Sequence, residues 1–143
     1  KEILQQSMKN ILVLCTGNSC RSQMAHGYLK QFTEGKATVY SAGVETHGLN
    51  PRAVWAMNED GIDISTHTSN HIDEYKAIDF ELVLTVCDHA REACPWFPSG
   101  AQLIHHSFSD PSKLKGTEDE IKAAFRKTRS EIKAYCKNLA EKV

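Results

Sequence analysis

Asn10-Ile-Leu-Val-Leu-Cys15-Thr-Gly-Asn-Ser-Cys-Arg21-Ser22 is the stretch from which the rest of the chain is read. Its apolar run ends at Thr16-Gly17-Asn18, which predicts a buried strand followed by a turn. From Arg21 to Phe32, residues Met24, Tyr28, Leu29 and Phe32 share one stripe at helical spacing, and Gly35 can stop the helix. A strand feeding a helix through a five-residue loop is the opening of a β–α unit.

The same alternation continues. Thr38-Val-Tyr-Ser41 is a second strand candidate. Asn50-Pro51 supplies an N-cap and a proline at the first helical position, predicting a helix from Pro51 to about Asp60 closed by Gly61. Leu82-Val-Leu-Thr-Val86 predicts a third buried strand, and Ala101 to His105 a weaker fourth. Thr117-Glu-Asp-Glu120 fits a capping box, after which Ile121, Phe125, Thr128, Ile132, Tyr135 and Leu139 recur at helical spacing. Strands alternating with helices imply an α/β fold: a single-domain, three-layer sandwich with a four-stranded parallel sheet flanked by helices. Such sheets bind ligands at the carboxyl ends of their strands, where Cys15 and Cys87 fall.

Bulk properties narrow the function. The 143 residues suit one domain, with residues 1–8 read as an N-terminal extension and Met8 as an alternative start. Charged residues make up 24% and the net charge is −1, which argues against a nucleic-acid-binding face. The apolar runs are too short to cross a bilayer, and Lys1 to Asn10 lacks the pattern of a signal peptide, so a cytoplasmic protein is expected. Five cysteines, an odd number, argue against a structural disulfide framework.

Cys15 and Arg21 enclose five residues between the predicted strand and helix. A loop that wraps into a helix N-terminus points backbone N–H groups inward, and with the helix dipole these form a site for a tetrahedral oxyanion. Thr16, Gly17, Asn18, Ser19, Cys20, Arg21 and Ser22 are the expected binding residues. Gly17 and Asn18 tolerate the left-handed backbone, and Arg21 can fork onto two oxygens. The same field should lower the Cys15 pKa, and Ser22 can donate a hydrogen bond to its sulfur. Without the strand and helix around it, the cysteine–arginine spacing would be a weak signal.

Val13-Leu-Cys-Thr-Gly-Asn-Ser-Cys-Arg-Ser-Gln-Met-Ala-His-Gly27 closely resembles the thioredoxin-coupled arsenate reductases, which share the low-molecular-weight protein tyrosine phosphatase fold. The resemblance extends through Tyr40-Ser-Ala-Gly-Val-Glu-Thr-His-Gly-Leu-Asn-Pro51, Gly61 to Ser69, Leu84-Thr-Val-Cys87, Cys94-Pro95 and Phe108-Ser-Asp-Pro111. It implies a three-thiol relay through Cys15, Cys87 and Cys94 that reduces arsenate to arsenite, with thioredoxin as reductant and no tightly bound cofactor. Arg21 would bind the oxyanion, and Asp110 would serve as general acid. Phosphate and sulfate would compete, and the active unit would be a monomer. The polar segment Asp88 to Glu92 would be mobile and let Cys94 reach Cys87.

The loop alone leaves two other readings open: a low-molecular-weight phosphatase acting through a phosphocysteine at Cys15, and a non-catalytic oxyanion-binding module. Cys87 and Cys94 argue for the reductase. So does Ser112, because the phosphatases typically carry tyrosine after Asp-Pro. Cys87 and Cys94 are spaced too widely for a zinc knuckle pair. Some relatives hold potassium near the loop. Asn18, Ser41 and Thr68 match oxygen-supplying positions, but His26 and Asn70 stand where acidic residues are expected, so no metal is assigned. Cys20 and Cys136 read as structural, Trp55 and Met57 as core, and Trp96 and Phe97 as core or as a thioredoxin-docking surface. His47, His67, His71, His89, His105 and His106 show no metal spacing and read as loop or surface residues.

Overall fold

The run ending at Cys15 forms an inner strand of a parallel sheet. The computed structural model describes residues 8–94, 97–98 and 100–143. In it β1 (Lys9–Cys15) pairs on one side with β2 (Ala37–Gly43) and on the other with β3 (Leu82–Thr85), while β4 (Gln102–His105) completes the order β2-β1-β3-β4. Every pairing is parallel. Ile11 to Leu14 are wholly buried, as expected of a strand covered on both faces.

Register sets the site. Cys15 lies opposite Gly43, and Leu14 opposite Thr85, so Cys15 and Cys87 emerge at the same edge of the sheet. The chain leaves β1 towards β2 through α1 (Arg21–Phe32), and leaves β3 towards β4 through α3 (Asp88–Ala93). These crossovers run in opposite directions, making the gap beyond β1 and β3 the topological switch point. Gly43 is required there. A Cβ on it would lie 2.4 Å from the Glu45 carbonyl, 2.7 Å from the Thr16 carbonyl and 2.8 Å from the Asn18 nitrogen, all backbone atoms.

The remaining helices form for the reasons their ends encode. Asn50 accepts from the Arg52 amide at the start of α2 (Pro51–Glu59). Thr117 and Glu120 make the reciprocal capping box of α4 (Glu118–Ala140). α4 packs along α1 and buries Phe125, Thr128, Ile132, Cys136 and Leu139. Each of the larger of these side chains contributes roughly 1.5–3 kcal/mol by leaving water. Short 3₁₀ turns span Ile72–Tyr75 and Pro111–Lys113. Among the described residues, no helix is long and apolar enough to cross a membrane.

Three expectations need correction. Asp88 to Ala93 is a helix rather than a loose polar segment. It anchors through Ala90, the one buried residue among its described side chains. Trp55 is half-buried, not core, and carries Lys122 and Arg126 over its ring at 5.2 and 5.1 Å. Tyr135 is likewise half-buried and stacks on His106 at 4.3 Å. Met57 is fully buried as expected. Phe97 packs half-buried against the core, and Trp96 lies outside the described residues. β4 gave a weak signal because it is an edge strand, with Leu103 54% exposed.

Candidate anion-binding thiol site

Asn18 holds the loop after β1 in shape. Its φ of 51° is the left-handed conformation that the wrapping requires, and it is the one described non-glycine residue with positive φ. The side chain donates to Ser22 Oγ at 2.9 Å and accepts from the Asn70 amide at 2.7 Å. Its carbonyl accepts from Gln23 Nε2 at 3.0 Å. The Ser22 hydroxyl is thus tied as an acceptor to Asn18 within the loop. A Cβ on Gly17 would stand 2.3 Å from His47 Nδ1, so a side chain there would have to push the exposed His47 ring aside.

A cavity of about 170 Å³ opens above the loop. Cys15, Thr16, Gly17, Ser19, Cys20 and Arg21 line it, along with His47, Asp110, Ser112 and Lys113. The Asn18 side chain, bonded to Ser22 and to the Asn70 amide, braces the loop. Arg21 is the first residue of α1. Its Nη1 donates to the Phe108 carbonyl at 3.1 Å, and its Nη2 lies 3.4 Å from Asp110 Oδ2. The two residues assigned to binding and proton donation thus meet at the cavity. The Asp110 carboxylate also accepts from the Ser112 amide and hydroxyl, at 3.0 and 2.6 Å.

Sequence reasoning missed three cavity residues: His47, Ser112 and Lys113. His47 follows the carboxyl end of β2 and pairs with Glu45 at 2.6 Å. The usable signal was position, since residues just beyond a strand's carboxyl end face the site in this architecture. Lys113 lies in the turn that Asp110-Pro111 begins.

Cys15 and Cys87 are both buried and interact directly. The Cys15 thiol is pushed up, first by its hydrogen bond to Cys87 and then by burial, against the lowering pull of Arg21. Cys87 is lowered to about 5, first by the hydrogen bond from Cys15. Thr16, whose Oγ1 lies 3.2 Å from the Cys87 sulfur, the Ala90 amide and the Arg21 charge add to this, while burial opposes it. The pair thus ionises once, with its remaining proton between two sulfurs. Arg21 lowers both thiols, as expected of the loop, and the charge belongs to the Cys15–Cys87 pair.

Cys87 and Cys94 cap opposite ends of α3, and Cys94 is half-buried. A rise of ~1.5 Å per residue sets their Cα atoms ~10 Å apart, beyond the ~7 Å reach of a disulfide. Cys20 and Cys136 are both pushed up to about 12, chiefly by burial, and stay inert thiols.

The oxygens at the potassium positions are engaged in hydrogen bonds. The Asn18 amide oxygen accepts from Asn70, Ser41 Oγ is bonded to His26, and Thr68 Oγ1 donates to Asn70 Oδ1 at 2.8 Å. Neither His26 nor Asn70 brings the negative charge such a site wants. Among the described residues, no cluster of three or more histidine, cysteine or acidic side chains is placed to hold a metal.

Residues 10–143 match the model of the family described as low molecular weight phosphotyrosine protein phosphatase. An arsenate reductase of Halalkalibacterium halodurans is 50% identical over 133 residues, covering 93% of this chain and 96% of its own. A solved arsenate reductase in the phosphate-binding state superposes with a TM-score of 0.77 at 33% identity, over 95% of this chain and 99% of that one. A low-molecular-weight protein tyrosine phosphatase from T. tengcongensis shares the fold at 24% identity and a TM-score of 0.80, over 96% of this chain and all of its own. With its nucleophile loop, its sheet and nearly its whole length matched, the chain belongs to the low-molecular-weight phosphotyrosine protein phosphatase family, beside the arsenate reductases within it.

Proposed function

We propose that the protein reduces arsenate to arsenite by a three-thiol relay and is returned to its starting state by thioredoxin. The observation that carries this reading is the Cys87 sulfur held against Cys15 at the anion loop, since a phosphocysteine phosphatase has no use for a second thiol there. The arsenate reductases among its relatives support it.

Arsenate binds in the loop and to Arg21. Cys15 attacks arsenic as its proton passes to Cys87, and Asp110 donates a proton to the departing oxygen, which leaves as water. Cys87 then loses its proton to solvent, with Thr16, the Ala90 amide and the Arg21 charge favouring its thiolate. It attacks the Cys15 sulfur: an S–S bond forms, the S–As bond breaks, and its electron pair reduces As(V) to As(III). Cys94 attacks Cys87, releasing the Cys15 thiolate, once α3 has unwound enough to close the gap between them. A thioredoxin dithiol takes up the Cys87–Cys94 disulfide by exchange. The chemistry needs the residues of one chain only, and a thiol-reducing compartment such as the cytoplasm.

The test is arsenate-dependent NADPH consumption with thioredoxin and thioredoxin reductase. The parent turns over steadily. Cys94→Ser makes one arsenite per protein and stops with Cys15 joined to Cys87, as read by mass spectrometry. Aryl phosphate hydrolysis that survives loss of Cys94, with no arsenate turnover in the parent, would establish the phosphatase reading instead.

A further inference from the structure

Behind the anion loop lies a group of buried side chains that the relay does not use. The Gln23 amide is wholly buried and donates to two carbonyls, those of Asn18 and Thr68, each at 3.0 Å. With both donors engaged, its Oε1 is the accepting end, so His67 Nδ1, 3.0 Å away, carries the proton between them. A flipped amide would set Oε1 against two carbonyl oxygens. The two carbonyls thus select the orientation in which Gln23 secures the left-handed Asn18, and the His67 bond meets the remaining end of the amide.

His67 belongs to a loop, and its ring needs a support. The His26 ring provides one, stacked at 4.3 Å between centroids and inclined by 28°. His26 lies on α1, one turn after Ser22 and Gln23, and its Nδ1 is 2.9 Å from the buried Ser41 Oγ on β2. We propose that His26 is a positioning residue for the anion loop: its ring, stacked on His67 and tied to Ser41, holds Gln23 in the orientation that secures Asn18. Both rings are held below the ordinary histidine value. Burial is the first cause lowering each, and brings His26 to about 3; His67 and Lys30 also lower His26, and Lys30 lowers His67, which Asp63 raises. The stack therefore works by packing and hydrogen bonding, with no ion at the rear of the loop. Asn18 sets the path of the loop whose neighbours Gly17 and Ser19 line the cavity, so the effect of the stack falls on oxyanion affinity.

The experiment is calorimetric titration of inorganic sulfate, with arsenate KM and kcat beside it, on the parent, His26→Ala and His26→Phe. His26→Ala is expected to weaken sulfate binding about tenfold, the equivalent of one net hydrogen bond, and to raise KM alike while kcat stays within about twofold. His26→Phe keeps the stacked ring and should recover most of the affinity. Leu29→Ala, further along α1, should lower Tm and leave sulfate binding unchanged. Parental sulfate affinity in His26→Ala, or a Phe variant as impaired as the Ala variant, overturns the proposal. Should the Ala variant not fold, His26→Asn against His26→Phe decides in the same way. The kinetic arm rests on the arsenate reading. The sulfate arm does not, so a parent that binds sulfate but never turns over arsenate would sink that reading alone.

Discussion

The two halves of the site are built in opposite ways. Around Cys15 the backbone is pinned: Gly43 sits against three backbone atoms, Asn18 is held at both ends of its side chain and at its carbonyl, and α1 starts at once with Arg21. Around Cys87 the chain enters a six-residue helix with a single buried residue among its described side chains, followed by a weakly buried edge strand. A nucleophile that must meet a tetrahedral anion gains from fixed amides. A thiol that must meet two different partners gains from an element that opens at low cost. The contrast shows that one sheet edge can carry both, because β1 is covered on either side and β3 leads towards the rim.

Breaking the pinned half should have the largest effect. Gly43→Ala forces a methyl into backbone that cannot give, and destabilisation of roughly 1–3 kcal/mol or more is expected by denaturant titration. Sulfate binding should be lost in whatever fraction still folds. A variant with parental stability and affinity would show the loop to be looser than its contacts indicate.

The link between the halves is the shared proton. Cys87 is lowered to about 5, first by its hydrogen bond from Cys15, so the pair is expected to hold one thiolate at neutral pH and to take up its proton in acid. Cys15→Ala removes the first cause of this lowering, and the Cys87 titration, followed by the ultraviolet absorbance of the thiolate, should move upwards. Each unit by which the midpoint passes the working pH lowers the thiolate fraction about tenfold. An unmoved midpoint would mean that Thr16 and Arg21 hold the charge without Cys15.

The smallest expected effect sharpens the mobile half. Asp88, in the first turn of α3, meets His105 Nε2 at 2.7 Å, while His105 Nδ1 lies 2.6 Å from Thr85 Oγ1 on β3. Asp88 is largely exposed, so the pair is worth on the order of 0.2–1 kcal/mol. Asp88→Asn should speed transfer of the disulfide from Cys15–Cys87 to Cys87–Cys94 a few-fold at most, measured by rapid acid quench and thiol mapping. A slower transfer would show that α3 must stay wound to deliver Cys94.

Much of this was legible before any coordinates. The anion loop is a local object: a strand, five residues and a helix start, whose geometry follows from glycine and asparagine tolerance and from unsatisfied helix amides. Cys15, Arg21 and the loop residues could be named for that reason. The strands, α1 and α4 were equally readable from periodicity and caps, to within a residue or two at most ends. Asp88 to Ala93 was not, because six residues are too few to show a helical period and the helix depends on burying Ala90.

What the sequence alone determined is therefore the chemistry on offer: an oxyanion loop, a nucleophilic cysteine, two further thiols and a parallel sheet to carry them. Only the tertiary structure decided that two sulfurs share one charge, since that depends on β1 and β3 lying side by side. It also decided that His47 and Lys113 wall the cavity and that His26 stacks on His67. Each of these joins residues far apart in the chain, and a side chain's pKa, rotamer and partners are set by such neighbours rather than by its place in the sequence.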